Sequence, residues 1–190
     1  MDVLRVFIAV DIEDPLVVSR LERVKEAVVS TGVPVKTVET ENLHLTIRFI
    51  GEVGRGLVED IKREVLGRLS FEPFDMELVG LGAFPSPTRP RVVWVGVGRG
   101  GDELRRIRDE VERGLRRLGV RPESQEFHPH VTLARVKGQR NIQALVKLIQ
   151  EYSGFEFGVV RVERVRLKRS ILTSRGPIYE TLAEVRGGVG

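Results

Sequence analysis

The sequence predicts an α+β fold in which one strand–helix unit is used twice. Three observations favour it: a repeated motif, a repeated order of strand and helix patterns, and strands with one polar face. His44 and Thr46 in NLHLTIRFIGE match His130 and Thr132 in FHPHVTLARVK at an offset of 86 residues. A fixed offset of this kind is typical of an internal duplication. We therefore expect a bilobal molecule with pseudo-two-fold symmetry, in which both motifs face a central cleft.

The duplication spans nearly the whole chain. The same offset aligns Arg5 of LRVFIAV with Arg91 of PRVVWVGV. We expect one domain, residues 1–190, with lobes or repeats at about 1–84 and 91–186. Exchange of the C-terminal strand between the lobes is left open.

The first half predicts strand, helix, strand, helix, strand. RVFIAVDIE is a strand, and Asp14 followed by a proline is typical of a helix start. Apolar residues spaced by three and four predict that this helix ends near Gly32. In the motif strand, side chains alternate, so His44 and Thr46 share one face. A second helix and a strand at 74–84 complete the half.

The second half repeats this order after a clear break. Residues 85–90 contain three prolines and exclude a regular helix or central strand. A strand, a helix, the second motif strand and a short helix follow. Two strands, at 157–172 and 178–185, are expected to close the chain.

The strands favour antiparallel sheets, one in each lobe, with the helices outside. The turns are short and contain glycine or proline, and no dinucleotide-binding glycine fingerprint is present. Strands with one polar face are typical of antiparallel sheets.

Composition limits the classes of protein. The chain has 190 residues, 41% of them hydrophobic, which is enough for a substantial core. The N-terminus has an acidic second residue and an apolar run of strand length only, which predicts neither a signal peptide nor a membrane span. We expect a cytoplasmic protein. Because the sequence has no cysteine, disulfides and thiolate chemistry are excluded.

The charge pattern allows two interpretations. The formal net charge is +4, and 25 of the 31 cationic residues are arginine. The planar guanidinium suits phosphate, so the composition is compatible with an RNA partner. Dense charge of both signs also fits a heat-stable protein with surface ion-pair networks. The two interpretations are compatible.

The motif residues suit phosphoryl chemistry. Histidine can act as base or acid near neutral pH, and two histidines facing one phosphate supply both functions. Threonine hydroxyls on the same face can donate to phosphate oxygens, so no metal is required.

Two alternatives remain at this point. A single His-x-Thr on a strand is more often a half-exposed polar face than a site. His128-Pro129-His130 brings two imidazoles together, as in metal sites, but lacks a neighbouring cysteine or carboxylate.

Three segments together resemble a known family: NLHLTIRFIGEV, FPSPTRPRVVWVGV and FHPHVTLARVKG. They are similar to the RNA 2′,3′-cyclic phosphodiesterases, also called 2′-5′ RNA ligases, of the two-histidine phosphoesterase superfamily. The resemblance covers residues 5–179. It implies a hydrolase without cofactor or metal that opens 2′,3′-cyclic phosphate ends of RNA to 2′-phosphate, with 2′-5′ ligation as the reverse.

The resemblance also implies roles for residues. His44 and His130 match the catalytic pair, Thr46 and Thr132 the phosphate-holding threonines, and Arg135 a phosphate-contacting arginine. The sequence leaves open which histidine is the base, and our hypothesis is that His130 activates the water and His44 protonates the 3′ oxygen.

The sequence does not decide which arginine contacts the phosphate. Side-chain alternation along the strand puts Arg135 on the face opposite His130. Either a bulge re-aims Arg135 or its side chain reaches around the strand end, whereas Arg48 has the right parity. Candidates for base stacking, each of which could instead be a core aromatic, are Phe84, Trp94 and Tyr179.

The expected partner is RNA with a 2′,3′-cyclic phosphate end, for which tRNA fragments are one source, and the expected state is a monomer. The alternative is a non-catalytic module that binds RNA ends through the same pocket.

Overall fold

The computed structural model describes residues 2–188 and contains nine strands and four α-helices in that range. Two short 3₁₀ turns, Thr40–Asn42 and Leu66–Arg68, lie between them. In chain order the elements are β1 (Val3–Asp11), α1 (Pro15–Ser30), β2 (Val35–Thr37), β3 (His44–Gly54), α2 (Arg55–Glu64), β4 (Phe74–Ser86), β5 (Arg89–Val97), α3 (Gly101–Arg117), β6 (His130–Val136), α4 (Ile142–Glu151), β7 (Glu156–Val162), β8 (Arg164–Thr173) and β9 (Gly176–Arg186).

The strands form one antiparallel sheet with the order β7-β4-β5-β6-β3-β1-β8-β9, and β2 pairs with β6 beside this path. The predicted α+β class with antiparallel strands is confirmed. The two sheets that we expected are joined through a single residue pair, Leu45 and Val131, between β3 and β6. Because β3 and β6 separate on either side of this pair, a cleft opens between the halves of the sheet.

The strand order has the predicted two-fold pattern. Reading outward from the centre, β6, β5, β4 and β7 on one side correspond to β3, β1, β8 and β9 on the other. The central pairs also match in sequence, since Arg5 of β1 and Arg91 of β5 are aligned by the repeat offset.

The halves of the sheet are not the halves of the sequence. The strand β4, which comes from residues 1–84, pairs with β5 and β7. Reciprocally, β8, which comes from residues 91–186, pairs with β1 and β9. The first repeat therefore gives β4 to the other half of the sheet, and the second repeat gives β8 and β9, an exchange that involves more than the C-terminal strand.

Two predicted boundaries differ from the structure. The single strand expected at 157–172 is two strands, β7 and β8, which meet at Glu163 and pair in different halves of the sheet. The proline-rich break at 85–90 is a tight hairpin in which β4 continues to Ser86 and β5 begins at Arg89. Proline is tolerated there because the end of a ladder needs fewer backbone donors.

The helices cover the buried face of the sheet. In α1, Asp14 Oδ1 accepts a hydrogen bond from the Val17 amide at 3.0 Å, which is the predicted N-cap. The buried stripe of α1 packs into one core with buried strand residues such as Leu45 and Val131. The opposite face of β3 and β6 is left for the polar side chains.

Candidate active site

The two His-x-Thr motifs meet at the centre of the sheet. Leu45 and Val131 are opposite each other on β3 and β6, and both point into the core. Since side chains alternate along a strand, the flanking histidines and threonines point to the other face. In an antiparallel register centred on this pair, His44 lies on the side of Thr132, and Thr46 lies on the side of His130. The strand register therefore brings two imidazoles and two hydroxyls to one place.

A β-bulge interrupts each motif strand at the same position. The register between β1 and β3 skips Ile47, and the register between β5 and β6 skips Leu133. As a result, two consecutive residues of each strand are buried, and the next residue points back to the polar face. On β6 that next residue is Arg135, and on β3 it is Phe49. The bulge is therefore the reason that Arg135 reaches the cleft despite its sequence parity.

The prediction that Arg48 is an alternative phosphate-binding cation is wrong, for the same reason. The bulge turns Arg48 to the buried side, where its side chain is 6% exposed. There it forms an ion pair with Glu112 and donates to the carbonyl oxygens of Phe49 and Arg121, each at 2.7 Å.

The cleft has a volume of about 530 Å³, which suits a small ligand. Both motifs line it, together with residues of β1, β2 and the β8–β9 hairpin. The lining includes these residues with polar, aromatic or cationic side chains: His44, Thr46, His130, Thr132, Tyr179, Phe7, Phe49, Arg5, Lys36, Arg135 and Arg175.

The two histidines have matching backbone partners. His44 Nδ1 donates to the carbonyl oxygen of Asn42 at 2.7 Å, and His130 Nδ1 donates to that of His128 at 2.6 Å. A carbonyl oxygen can only accept, so in each neutral ring Nδ1 carries the proton and Nε2 keeps a lone pair. Nε2 of His44 lies 3.0 Å from Thr46 Oγ1. Both rings are therefore oriented with Nε2 away from the backbone, and that of His44 is hydrogen-bonded to Thr46.

Aromatic rings surround each histidine. The His44 ring contacts Tyr179 edge to face, with centroids 5.2 Å apart, and Phe7 at 5.1 Å. The His130 ring contacts Phe84 edge to face at 4.9 Å, and Trp94 at 6.0 Å. These rings fix the imidazole planes by packing on both sides of the site.

A buried ionic cluster lies behind His44 only. Lys168 Nζ donates to both carboxylate oxygens of Asp11, at 2.9 and 2.8 Å, and Arg166 reaches Asp11 Oδ2 at 2.6 Å. Asp11 is opposite His44 in the β1–β3 register. The repeat offset puts Val97 at the corresponding position of the other half, so the two histidines have different electrostatic surroundings.

The pKa of each histidine is lowered, chiefly by burial. For His44, the hydrogen bond to Asn42 and the Asp11 carboxylate act against this decrease in pKa, and the charges of Lys168 and His130 add to it. For His130, the hydrogen bond to the His128 carbonyl raises the pKa, and the charges of His128 and Arg135 lower it. Burial also raises the pKa of the Tyr179 hydroxyl. Both imidazoles thus favour the neutral form in the free protein, and only His44 has a carboxylate that favours its protonation.

The structure brings six of the nine candidate site residues to the cleft and places three elsewhere. The six are His44, Thr46, His130, Thr132, Arg135 and Tyr179. Arg48 is buried on the core side. Phe84 and Trp94 are half-buried rings that contact His128 and His130 beside the lining of the cleft. Their role in base stacking stays a prediction, and the Trp94 indole nitrogen is buried without a hydrogen-bond partner.

Sequence reasoning missed several residues of the site. Phe49 is the repeat equivalent of Arg135, and the 86-residue offset could have found it. Arg5 stacks over the Phe49 ring, with 4.7 Å from its Cζ to the centroid. Lys36 and Arg175 come from β2 and the β8–β9 turn, whose positions depend on the strand exchange and carry no local sequence signal.

No group of three potential metal-ligating side chains occurs among residues 2–188. The rings of His128 and His130 have centroids 6.1 Å apart. In the same residues, no helix has the length and apolar character needed to cross a bilayer.

Comparison with known proteins identifies the family. The sequence model of the 2′-5′ RNA ligase superfamily matches residues 16–170. A protein of Aeropyrum pernix named RNA 2′,3′-cyclic phosphodiesterase is 61% identical over 169 residues, which cover 89% of this chain and 96% of that protein. A protein of the same name from Archaeoglobus fulgidus is 42% identical, and the match covers 94% of this chain and 98% of that protein.

Solved structures share the fold. Escherichia coli LigT complexed with 3′-AMP has a TM-score of 0.78 at 23% identity, and the match covers 100% of both chains. A protein of Thermus thermophilus has a TM-score of 0.72 at 27% identity, with 96% of this chain and 97% of that chain covered. From the family match, the identities and the paired motifs, the chain belongs to the 2′-5′ RNA ligase superfamily.

Proposed function

We propose that this protein is an RNA 2′,3′-cyclic phosphodiesterase, which hydrolyses the cyclic phosphate at an RNA end to a 2′-phosphate. The observation that carries the proposal is the pair of His-x-Thr motifs on β3 and β6, whose imidazoles face one cleft. The names of the archaeal relatives, at up to 61% identity, support the same activity.

The proposed chemistry needs one base and one acid. His130 Nε2 takes a proton from a water molecule as the water oxygen attacks phosphorus. The bond between phosphorus and O3′ breaks, and His44 Nε2–H gives its proton to O3′. The products are a free 3′-hydroxyl and a 2′-phosphate. The Asp11 carboxylate favours protonation of His44, while burial, the larger effect, and the charge of Lys168 lower the pKa of that ring, so the division of roles between the two histidines is part of the proposal.

The threonines and Arg135 bind the phosphate. Hydroxyls of Thr46 and Thr132 donate to its non-bridging oxygens, and the guanidinium of Arg135 offsets the charge that develops there. The phosphate anion lies between the two imidazoles. Burial lowers the pKa of both rings in the free protein, and the negative charge of the bound phosphate raises these pKa values again, towards neutral pH. Since one ring must be neutral and one protonated, the rate follows a bell-shaped dependence on pH.

Formation of a 2′-5′ linkage from a cyclic phosphate and a 5′-hydroxyl uses the same groups in the same roles, with the 5′-hydroxyl in place of water. The return of that linkage to the cyclic phosphate exchanges the roles of base and acid. RNA fragments with cyclic ends, tRNA fragments among them, are the proposed substrates. We propose a monomer, since one chain supplies both motifs to the cleft, and light scattering would test this state.

The experiment is turnover of a 2′,3′-cyclic nucleotide in a chelating buffer, with the product isomer identified by phosphorus NMR. We expect the 2′-phosphate and no effect of chelator. Formation of the 3′-phosphate would contradict the assignment of the leaving oxygen. Saturable binding without product would instead identify the protein as a module that binds RNA ends.

A further inference from the structure

Four exposed cations surround the mouth of the cleft without carboxylate partners. They are Arg5, Lys36, Arg135 and Arg175, and among the described residues no carboxylate lies within 4.0 Å of any of them. Some surface arginines elsewhere, such as Arg63, do have such a partner. The described lining of the cleft contains a single carboxylate, that of Glu39. The mouth therefore carries more positive charge than one cyclic phosphate monoanion requires.

Two of these cations are direct neighbours. Lys36 on β2 is opposite Arg135 on β6 in the antiparallel register, so the side chains share a face. Like charges that face each other across a strand pair are destabilising. Such a pair, exposed beside a catalytic cleft and without a carboxylate, is complementary to an anion that bridges it.

The third cation is held near them by the β8–β9 hairpin. At its tip, a Cβ atom on Gly176 would lie 3.9 Å from Lys36 Cε, so the turn contacts the Lys36 side chain. Asn42 Nδ2 donates to the Pro177 carbonyl at 3.0 Å and ties the tip to the segment before β3. Arg175 immediately precedes Gly176, and its amide donates to Thr173 Oγ1 at 3.2 Å within the same turn.

We propose that Lys36 and Arg175 form a second phosphate subsite, which binds the phosphate on the 5′ oxygen of the terminal nucleotide. The inference rests on the proposed function and names the part of the RNA that the cleft recognises beyond the cyclic phosphate. In an RNA chain this next anion is the diester to the preceding nucleotide, and in a mononucleotide it is a 5′-monoester. Arg135, opposite Lys36, lies between the two phosphates and serves the cyclic one.

The test compares substrates that differ by one phosphate. A nucleoside 2′,3′-cyclic phosphate, its 5′-phosphorylated form and the dinucleotide with the same cyclic end separate the monoester from the diester. We expect a higher kcat/KM for both phosphorylated substrates. Lys36→Gln and Arg175→Gln should each lower the ratio of phosphorylated to unphosphorylated kcat/KM by up to about fivefold, the usual range for an exposed ion pair. Added salt should lower the same ratio.

The matched control is Arg117→Gln. Arg117 is an exposed arginine at the end of α3, a helix on the core face of the sheet, and it does not line the cleft. This variant has the same loss of charge and should keep the wild-type ratio. A wild-type ratio near one, or an equal loss for all three substrates in the two cleft variants, would overturn the proposal.

Binding separates this proposal from the proposed function. Calorimetry with a nucleoside 2′-phosphate and with the corresponding 2′,5′-bisphosphate measures the subsite without turnover. If no substrate is hydrolysed, the proposed function fails. The subsite would still be supported if the wild-type protein bound the 2′,5′-bisphosphate more tightly than the 2′-phosphate and both cleft variants bound the bisphosphate more weakly than wild type. Equal affinities for the 2′-phosphate and the 2′,5′-bisphosphate would contradict the second phosphate subsite.

Discussion

Phe49 and Arg135 occupy equivalent positions in the two halves of the sheet, each pointing to the cleft after a bulge in its motif strand. They are separated by the same 86 residues as the catalytic histidines proposed here. One half thus presents an aromatic ring with Arg5 above it, and the other half presents a guanidinium. The cleft is two-fold in its histidines and threonines and asymmetric around them.

Replacing either histidine should abolish most of the turnover. We expect His44→Ala and His130→Ala each to lower kcat by about a hundredfold to ten-thousandfold, the usual contribution of a general acid or base. Both rings are at the cleft surface, so thermal unfolding should change little. Retention of more than a tenth of the wild-type rate by either variant would contradict the two-histidine mechanism.

The threonines should act through their hydroxyl groups. Thr46→Val and Thr132→Val keep the shape of the side chain and remove a donor to an anion, for which we expect a loss of about tenfold to a hundredfold in kcat/KM. Thr46→Ser and Thr132→Ser are the matched controls and should retain most of the activity. If valine and serine variants behave alike, the hydroxyls do not bind phosphate.

Stability should decrease in mild acid because of the two histidines. Burial lowers the pKa of both rings, so the unfolded chain, with histidines near their ordinary value of about 6.5, binds more protons. This contribution is fully present above that value and is lost as pH falls through the folded pKa values. We expect the free energy of unfolding to be higher at pH 7.5 than at pH 5.5, and the difference to shrink in His44→Gln and His130→Gln. Comparing each variant with wild type cancels the titration of carboxylates, and identical pH dependences would contradict the assignment.

Arg48 should matter for stability and not for chemistry. Arg48→Met leaves the buried Glu112 without its main partner, and we expect a loss of about 3–5 kcal/mol in the free energy of unfolding. The double variant Arg48→Met/Glu112→Met should recover most of this loss in denaturant titrations. At a temperature where the double variant is folded, its kcat should be close to the wild-type value. A large decrease in the kcat of the double variant would indicate that Arg48 does contribute to the reaction.

The Trp94 ring leaves no room for a side chain at position 82, so we expect that only glycine fits there without a shift of the ring. A Cβ atom at Gly82 would overlap the six-membered ring of the indole. We expect Gly82→Ala to displace the ring, to cost about 1–3 kcal/mol, and to shift the fluorescence of the single tryptophan. Gly56→Ala, at a position with no atom within 4 Å of the new methyl group, is the control and should leave the emission unchanged.

The sequence predicted the class of the fold, its duplication and the central residues of the site, because these depend on local patterns. The strand alternation correctly assigned His44 and Thr46 to one face, since no bulge lies between them. It failed for Arg48, because a bulge at Ile47 shifts the alternation by one residue and no residue type there marks it. The repeat could have warned of this, since Arg135 already required a bulge at Leu133.

The periphery of the site could not be predicted, because it depends on which strands pair. The role of Phe84 and Trp94 in base stacking, for which a core position was the alternative, stays a prediction, since β4 and β5 place both half-buried rings against His128 and His130. Lys36 and Arg175 are 139 residues apart in sequence and reach the same cleft only through the hairpin β8–β9. We propose that 1–84 and 91–186 are copies of one unit, and the sequence alone does not tell which half of the sheet β4 and β8 join.

The reciprocal pairing of β4 with β5 and of β8 with β1 has a consequence for the origin of the molecule. A solitary first copy would keep the β1–β3 ladder but would leave β4 without a partner strand. Two such copies could complete each other only as a swapped homodimer, with one imidazole contributed by each subunit at the shared axis. Tandem fusion of the two genes would then preserve the catalytic centre and free each copy to diverge, as the contrast between Phe49 and Arg135 indicates.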